Sequence, residues 1–369
     1  MKVRPVASKA DMERFIRLPM KLHSENPNFV PHLLMERRDF FNPKKNPFFE
    51  HAKVAYFLCE DGRKLMGRVA AIINHAHNEF HGDNIGFFGF FDCVDNREVA
   101  HALLTTAENW LKEQGMDAMR GPANFSTNDE CGLLVEGVDQ PPVVMMTWNP
   151  AYYEELISSF GLEKVMDLYA YYGDMKKLPM EKLTRQADMI LKRAGVTVRK
   201  ASLKHLEREI ADAFQIYNKA WEKNWGFIPM TEAEFTHTAK DLKMILDEDY
   251  LFFAEKEGKA VGFSLTLPDL NRILIKMKGR LFPTGIFRLL FGLKHIDTVR
   301  VITMGVLPEY RRQGIDLLLY FRTIQEAFRK GVIGGEMSWI LEDNLVMNHI
   351  AEKVGGYRYK TYRFYEKPL

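Results

Sequence analysis

Cysteine is scarce in this chain: Cys59, Cys93 and Cys131 stand far apart and are odd in number. Such spacing gives no support to a disulfide framework, and it suits reduced thiols in the cytosol. Neither sign of charge prevails. The 51 Lys and Arg against 49 Asp and Glu leave a formal net charge of +2, so bulk charge gives no argument for a nucleic-acid partner. No apolar run is long enough to span a bilayer, and no signal peptide opens the chain. Low-complexity segments are also missing. What is there is ordinary apolar content and many aromatics, enough for sizeable cores over a length of about two domains. The expectation is a cytoplasmic protein without nucleic-acid partners and without membrane contact.

The order of elements repeats. Residues 2–7 read as a strand followed by a helix from Asp11, and "TVRKAS" at 197–202 restarts the same plan. Each half continues with paired strands, "KVAYFLCEDG" and "KLMGRVAAIIN" in the first, "YLFFAEKEG" and "KAVGFSLTL" in the second. Central strands "NIGFFGFFDC" and "TVRVITMGV" follow, each leading into an amphipathic helix that stops at Gly115 or Gly331. Asn-initiated, Gly-terminated helices and Tyr-rich strands close both halves. This is the pattern of a duplicated α/β unit with mixed sheets. It predicts a first domain over 1–173, a linker with a helix over 174–195, and a second domain over 196–369. The stretch 269–297 breaks the pattern: it is basic and apolar together, which fits a cover for a lipid or a membrane surface, or interdomain packing, the reading preferred.

The most specific stretch is "VLPEYRRQGIDLLLYFRTIQEAF", residues 306–328. Helix N-termini present unpaired N–H groups, and a Gly in the entering turn lets backbone approach an anion. Arg311, Arg312, Gln313 and Gly314 make such a turn between a strand and a helix, whose predicted apolar face is Leu317, Phe321, Ile324 and Phe328. Asp316 is out of place. At ~5 Å its carboxylate would repel each phosphate charge by roughly 1–3 kcal/mol, although an acid in a first turn also complements the helix dipole. Helical geometry sets it beside Tyr320 and Thr323.

"GVLPEYRRQGID" resembles the acyl-CoA motif R/Q-x-x-G-x-G/A of the GNAT acyltransferase superfamily, with Arg311 and Gly314 matching. "NLVMNHIAEKVGG" resembles the family's next signature through Asn344, Glu352, Lys353 and Gly355. The resemblance implies two GNAT-like domains in tandem, the N-terminal one degenerate, with acyl-CoA, most simply acetyl-CoA, as donor. It implies that Met304, Gly305 and Val306 meet the pantetheine arm. Arg311, Arg312, Gln313, Gly314, Ile315 and Asp316 would hold the pyrophosphate, and Asn344 would steady the pantetheine side. Ala351 departs from the pattern, because it stands where the family keeps a Tyr that protonates the leaving thiolate.

Acyl transfer to an amine requires a base for the ammonium and an acid for the thiolate. In "EMSWILED" alternation puts Glu336, Ser338, Ile340 and Glu342 on one face, and Glu342 is the base candidate. Tyr320, Tyr359 and Tyr362 are acid candidates by residue type. Trp221 and Trp225, four apart, are spaced to face each other across a helical turn; in the fold that the resemblance implies that region walls the acceptor site, and core or interface aromatics are the alternative reading. The long connection 121–150 offers Asn124, Ser126, Asn128 and Glu130 either as acceptor-site residues or as a self-bonded structural loop. Cys131 lacks a neighbouring His to activate it. His75 and His77 read as one face of a strand at a polar hairpin end, without a ligand set for zinc. The function expected is direct acyl transfer from acyl-CoA to a small-molecule or peptide amine. A catalytically degenerate acyl-CoA-binding or regulatory protein, or a Fem-like aminoacyl transferase, stand as alternatives.

Overall fold

The computed structural model describes residues 1–369, which cluster into two compact units. The first holds Met1–Leu168, Asn271–Gly292 and Lys360–Leu369; the second holds Tyr169–Leu270 and Leu293–Tyr359. Each unit therefore borrows chain from the other half of the sequence.

In the first unit β1 (Lys2–Pro5), α1 (Lys9–Leu22) and α2 (Leu34–Phe40) precede β2 (Ala52–Asp61) and β3 (Lys64–Asn74). Then come α3 (His75–His81), β4 (Ile85–Cys93), α4 (Arg97–Glu113), β5 (Ala118–Gly121), β6 (Leu133–Glu136), α5 (Tyr152–Ser158) and β7 (Glu163–Asp174). The strands pair in the order β1-β2-β3-β4-β5, antiparallel except for the parallel pair β4–β5. Helix α4 covers the sheet with Val99, Ala100, Leu103, Leu104, Ala107 and Leu111, recurring at helical spacing. Asn96 caps its start by accepting from Val99 N at 3.0 Å, and Gly115 ends it at φ +79°.

The histidine segment folds otherwise than predicted. It is helix α3, not a strand, because Asn74 caps it by accepting from His77 N and Gly82 closes it in the left-handed region. His77 is thereby buried beside His81 and Phe87, and no cluster of three or more metal-ligating side chains occurs.

In the second unit α6 (Met180–Ala194), β8 (Thr197–Lys200), α7 (Leu206–Ala220) and α8 (Glu232–Leu242) precede β9 (Leu251–Lys256) and β10 (Lys259–Pro268). After the short α9 (Asn271–Leu274) and α10 (Gly285–Gly292), both assigned to the first unit, come β11 (Thr298–Val306) and α11 (Ile315–Arg329). β12 (Gly334–Leu341), α12 (Leu345–Lys353) and β13 (Gly356–Pro368) finish the chain. The strand order is β8-β9-β10-β11-β12, antiparallel until the parallel pair β11–β12.

The terminal strands are exchanged. Residues of β7 from Tyr169 on belong to the second unit, where the strand neighbours β12. Residues of β13 from Lys360 on belong to the first, paired with β5 and β6. No helix is long and apolar enough to cross a membrane.

Helix α11 buries more than the predicted stripe. Ile315, Leu318, Leu319, Tyr320, Phe321, Thr323 and Ala327 are buried, whereas Phe328, predicted inward, is 64 % exposed. The extra burial comes from α6, which packs Leu183, Ala187 and Ile190 into the same core and so gives α11 a second buried side.

Candidate functional site

The site begins where a ladder stops. β11 and β12 pair only from Thr298↔Gly334 to Val301↔Met337. On its other edge β11 stays paired with β10 as far as Val306↔Gly262, with Ile302 skipped between Thr303↔Leu265 and Val301↔Thr266. One extra residue on one strand is a bulge, which bends that strand. The bend opens a wedge between β11 and β12 along Met304, Gly305 and Val306, whose edge groups there lack a ladder partner.

Beyond the wedge the turn has the geometry its sequence promised. Arg312 sits at φ +61° and Gly314 at φ +82°, and α11 starts at Ile315 without a side-chain cap. The amides of Arg312, Gln313, Gly314, Ile315 and Asp316 find no protein acceptor; the first helical bond is Leu318 N to Gly314 O at 3.1 Å. Successive open N–H groups at a helix start make an anion nest. Arg311 is not aimed at it. Its guanidinium donates to Val306 O at 3.3 Å and to Ala220 O, tying the end of β11 to the end of α7. The bare α-carbon of Gly314 faces Ile190, whose Cδ1 would lie 2.9 Å from an added Cβ.

Asp316 accepts from Leu317 N at 2.9 Å, so its carboxylate turns back on its own helix. Tyr320, one turn on, is 4 % exposed; burial first, and then the Asp316 charge, push its phenol well above the ordinary range. Ala351 is fully buried in the core shared with α11. Asn344 caps α12 by accepting from Met347 N at 3.2 Å. Asn348, which sequence reasoning passed over, donates to Leu341 O at 2.9 Å and accepts from Tyr171 OH at 3.1 Å.

The predicted single face of β12 breaks up. Glu336 and Ser338 are buried together, but Ile340 joins Met337 in the α11 core, and Glu342 lies past the strand end on a turn. Strict alternation needs a ladder, and β12 has lost β11 after Met337. What Glu336 does meet is Arg300, its partner across the last rungs. Arg300 is 3 % and Glu336 0 % exposed; Arg300 Nε donates to Ser338 Oγ at 3.0 Å, while Ser338 Oγ and Tyr359 OH both donate to Glu336. The Arg300 guanidinium also lies 5.3 Å from the Trp339 ring centre. A charged residue in the middle of "TVRVITMGV" was the available signal for this network.

Trp221 and Trp225 do not face each other across a helical turn, because α7 ends at Ala220. Asn218 folds the following loop back by bonding both Met230 N and Met230 O at 3.0 Å. Trp221 nevertheless reaches the wedge strand: a Cβ on Gly305 would fall 2.4 Å from its Cη2 atom. Of the acid candidates, Tyr359 lies in the second unit with Glu336, whereas Tyr362 lies in the first, fully buried and paired with Leu134.

In the first unit the corresponding wedge is filled by the protein itself. β4 and β5 pair from Ile85↔Ala118 to Phe87↔Arg120. Past that, Ala123 N donates to Phe88 O at 2.9 Å and Phe90 N donates to Asn124 Oδ1 at 2.7 Å. Gly89 permits this approach: a Cβ there would stand 1.8 Å from Ala123 O. Phe125 anchors the loop against Phe48, Phe90 and Phe40 at 4.7–4.9 Å. The polar residues are engaged within the unit. Ser126 donates to Asp129 at 2.9 Å, Asn128 N donates to Ser126 Oγ at 3.1 Å, and Glu130 accepts from Arg37 at 2.9 Å. Burial works to raise the Glu130 carboxyl, but the charges of Arg37 and His32 and the hydrogen bonds from Asn124 and Arg37 together outweigh it and hold the group below its ordinary value.

The profile of the Acetyltransferase (GNAT) family matches residues 210–356, which span the wedge and the turn. The bacterial ceramide synthase of Caulobacter vibrioides (strain NA1000 / CB15N) is 37 % identical, with 100 % of this chain and 98 % of that protein covered. Protein YghO of Escherichia coli (strain K12) is 35 % identical over 100 % of this chain and 95 % of its own length. Among solved structures, a tandem GNAT protein from the clavulanic acid biosynthesis pathway superposes with a TM-score of 0.58 at 11 % identity, covering 100 % of this chain and 98 % of its own. A GCN5-related N-acetyltransferase from Sphaerobacter thermophilus gives 0.55 at 13 % identity, with coverage of 99 % and 95 %. The chain belongs to the GNAT acyltransferase family as a tandem, two-domain member.

Proposed function

We propose that the protein is an N-acyltransferase that moves an acyl group from acyl-CoA to the primary amine of a long-chain amino alcohol, in its C-terminal half. The observation that carries the donor is the run of open amides from Arg312 to Asp316 beside the unzipped β11–β12 wedge. The wedge edge supplies backbone partners for a pantetheine amide chain, and the nest supplies donors for a pyrophosphate. Support for the acceptor comes from full-length similarity to a ceramide synthase, since a ceramide is the amide of a long-chain amino alcohol and a fatty acid.

Transfer is direct. The neutral amine attacks the thioester carbonyl, the C–S bond breaks, and the thiolate leaves as the amide forms, the nitrogen's second proton ending on the free thiol. The ammonium must first lose a proton. Tyr359, hydrogen-bonded to the buried Glu336 carboxylate, is the route we assign to that proton, with Glu336 as its end point. Glu342, at the turn beyond β12, is the competing base. Tyr320 remains the proposed acid for the thiolate by residue type; burial keeps its phenol protonated and at the same time makes it a reluctant donor.

The test is incubation with acetyl-CoA and long-chain acyl-CoAs against a panel of long-chain amino alcohols and short amines, following free thiol and amide mass. Amide formation only with long-chain amines supports the reading. Acyl-CoA binding without thiol release on any amine would make it a binding or regulatory protein, the reading that the buried Ala351 favours. Absence of acyl-CoA binding overturns both.

A further inference from the structure

The insertion between β10 and β11 leaves apolar surface uncovered. In α10, Gly285, Leu289 and Gly292 recur at i, i+4 and i+7 and turn inward, where added Cβ atoms on the two glycines would meet Met277 and Ile273 at 2.8 Å. The opposite face is open: Phe287 is 59 %, Leu290 56 % and Phe291 71 % exposed, and Phe282, just before the helix, is 63 % exposed. Four large apolar side chains gathered on α10 and the turn that leads into it exceed the scatter of single exposed hydrophobics that a soluble surface carries.

The charge around them has one sign. Between residues 271 and 292 stand Arg272, Lys276, Lys278, Arg280 and Arg288, all exposed, and not one Asp or Glu. The rest of the chain is nearly balanced, so this segment departs from the protein's own composition. The segment is also fastened down. Leu34 N donates to Gly279 O at 3.0 Å, Asn271 donates to Pro142 O at 2.8 Å, and Arg288 donates to Lys276 O at 2.6 Å. An anchored helix with protruding Phe and Leu and a surrounding cationic field matches an anionic bilayer surface. The rings enter the acyl boundary, and the cations meet the headgroup charge.

We propose that the segment 271–292 docks the protein on an anionic lipid bilayer through Phe282, Phe287, Leu290 and Phe291, lying in the interface without spanning it. This differs from the interdomain packing preferred on sequence grounds. It is independent of the acceptor's identity, because the docking surface carries none of the wedge residues.

The experiment is co-sedimentation of the full chain with vesicles, and it contains no acyl-CoA or amine. Wild type pellets with vesicles of phosphatidylcholine mixed with phosphatidylglycerol, pellets poorly with pure phosphatidylcholine, and loses binding several-fold as salt rises from about 0.1 to about 0.5 M. Phe287→Ser combined with Phe291→Ser cuts partitioning at least about tenfold, as removal of two rings that would enter the bilayer requires. Lys276→Gln with Lys278→Gln and Arg280→Gln erases the preference for the anionic lipid. Unchanged circular dichroism and unfolding midpoints show that the variants fold. Wild type remaining in the supernatant with both vesicles overturns the proposal, as does salt-insensitive binding equal on both. A stable dimer that the Phe variants dissociate, without vesicle binding, would assign the face to a second copy and also overturn it. Turnover of detergent-dispersed amine is expected to survive the Phe variants, so failure of docking and failure of the proposed reaction read out separately.

Discussion

The indole of Trp221 occupies the place where any side chain at position 305 would stand, with Cη2 only 2.4 Å from a Cβ built on Gly305. The loop after α7 and the wedge strand β11 are thereby locked together. Gly305→Ala is expected to displace the ring and cost about 1–3 kcal/mol, the range of overpacking, with acyl-CoA binding weakened because β11 moves. Trp221→Ala in the same chain should recover part of the stability. Urea unfolding and calorimetric titration measure both; additive losses in the double variant would refute the steric coupling.

Gly314 has two reasons to lack a side chain. Its φ of +82° penalises any L residue, and Ile190 faces its α-carbon. Gly314→Val is expected to lose about 1–2 kcal/mol of stability and to lower acyl-CoA affinity at least about tenfold. Ile190→Ala relieves the crowding without restoring affinity. Recovery of affinity in the double variant would mean that the loss came from packing and not from the nest.

Asp316 offers an electrostatic test. Its carboxylate lies at the start of the helix whose amides are proposed to hold the pyrophosphate. Asp316→Asn should strengthen acyl-CoA binding several-fold at low salt and less at high salt, because the repulsion is screened. Equal affinity with reduced turnover would place the carboxylate on the acceptor side.

Arg300 and Glu336 form a buried pair with Ser338 and Tyr359. Arg300→Met leaves Glu336 uncompensated and is expected to cost about 3–5 kcal/mol. Tyr359→Phe keeps the pair, so the fold should hold while turnover falls about 100-fold and the pH–rate profile shifts. If Glu342→Gln produces that fall and Tyr359→Phe does not, the base is Glu342.

His77 predicts an acid-sensitive first unit. Burial, then His81 and Arg120, lower its pKa from 6.5 to about 3; neither ring nitrogen makes a hydrogen bond, and the Asp83 carboxylate lies 3.4 Å from Nε2, placed to receive the ring's charge when it protonates. Between those values the unfolded chain binds a proton that the folded chain refuses. Stability is therefore whole above about pH 6.5 and declines as pH falls, by at most ~1.4 kcal/mol per unit. His77→Gln should flatten this part of the profile in urea midpoints measured across that window.

The sequence by itself determined much of the local structure. Gly115, Asn344 and Gly331 sit where caps were expected, since a cap is chemistry between neighbours, whereas Asn149 leaves α5 uncapped and accepts from Leu134 N instead. The strand–turn–helix of "GVLPEYRRQGID" was legible because a positive-φ glycine and an uncapped helix start are local properties. It also carried the family, and with it the fold. Tertiary structure decided what depends on distant partners. The exchange of β7 and β13, the pairing of Arg300 with Glu336, and the filling of the first wedge by Ala123 and Asn124 join residues far apart in sequence. So does the placement of Ile190 against Gly314. Periodicity reports which side of an element is apolar, not what covers it. Phe328 stayed exposed, and α11 turned a second side inward because α6, far upstream in the sequence, packs against it.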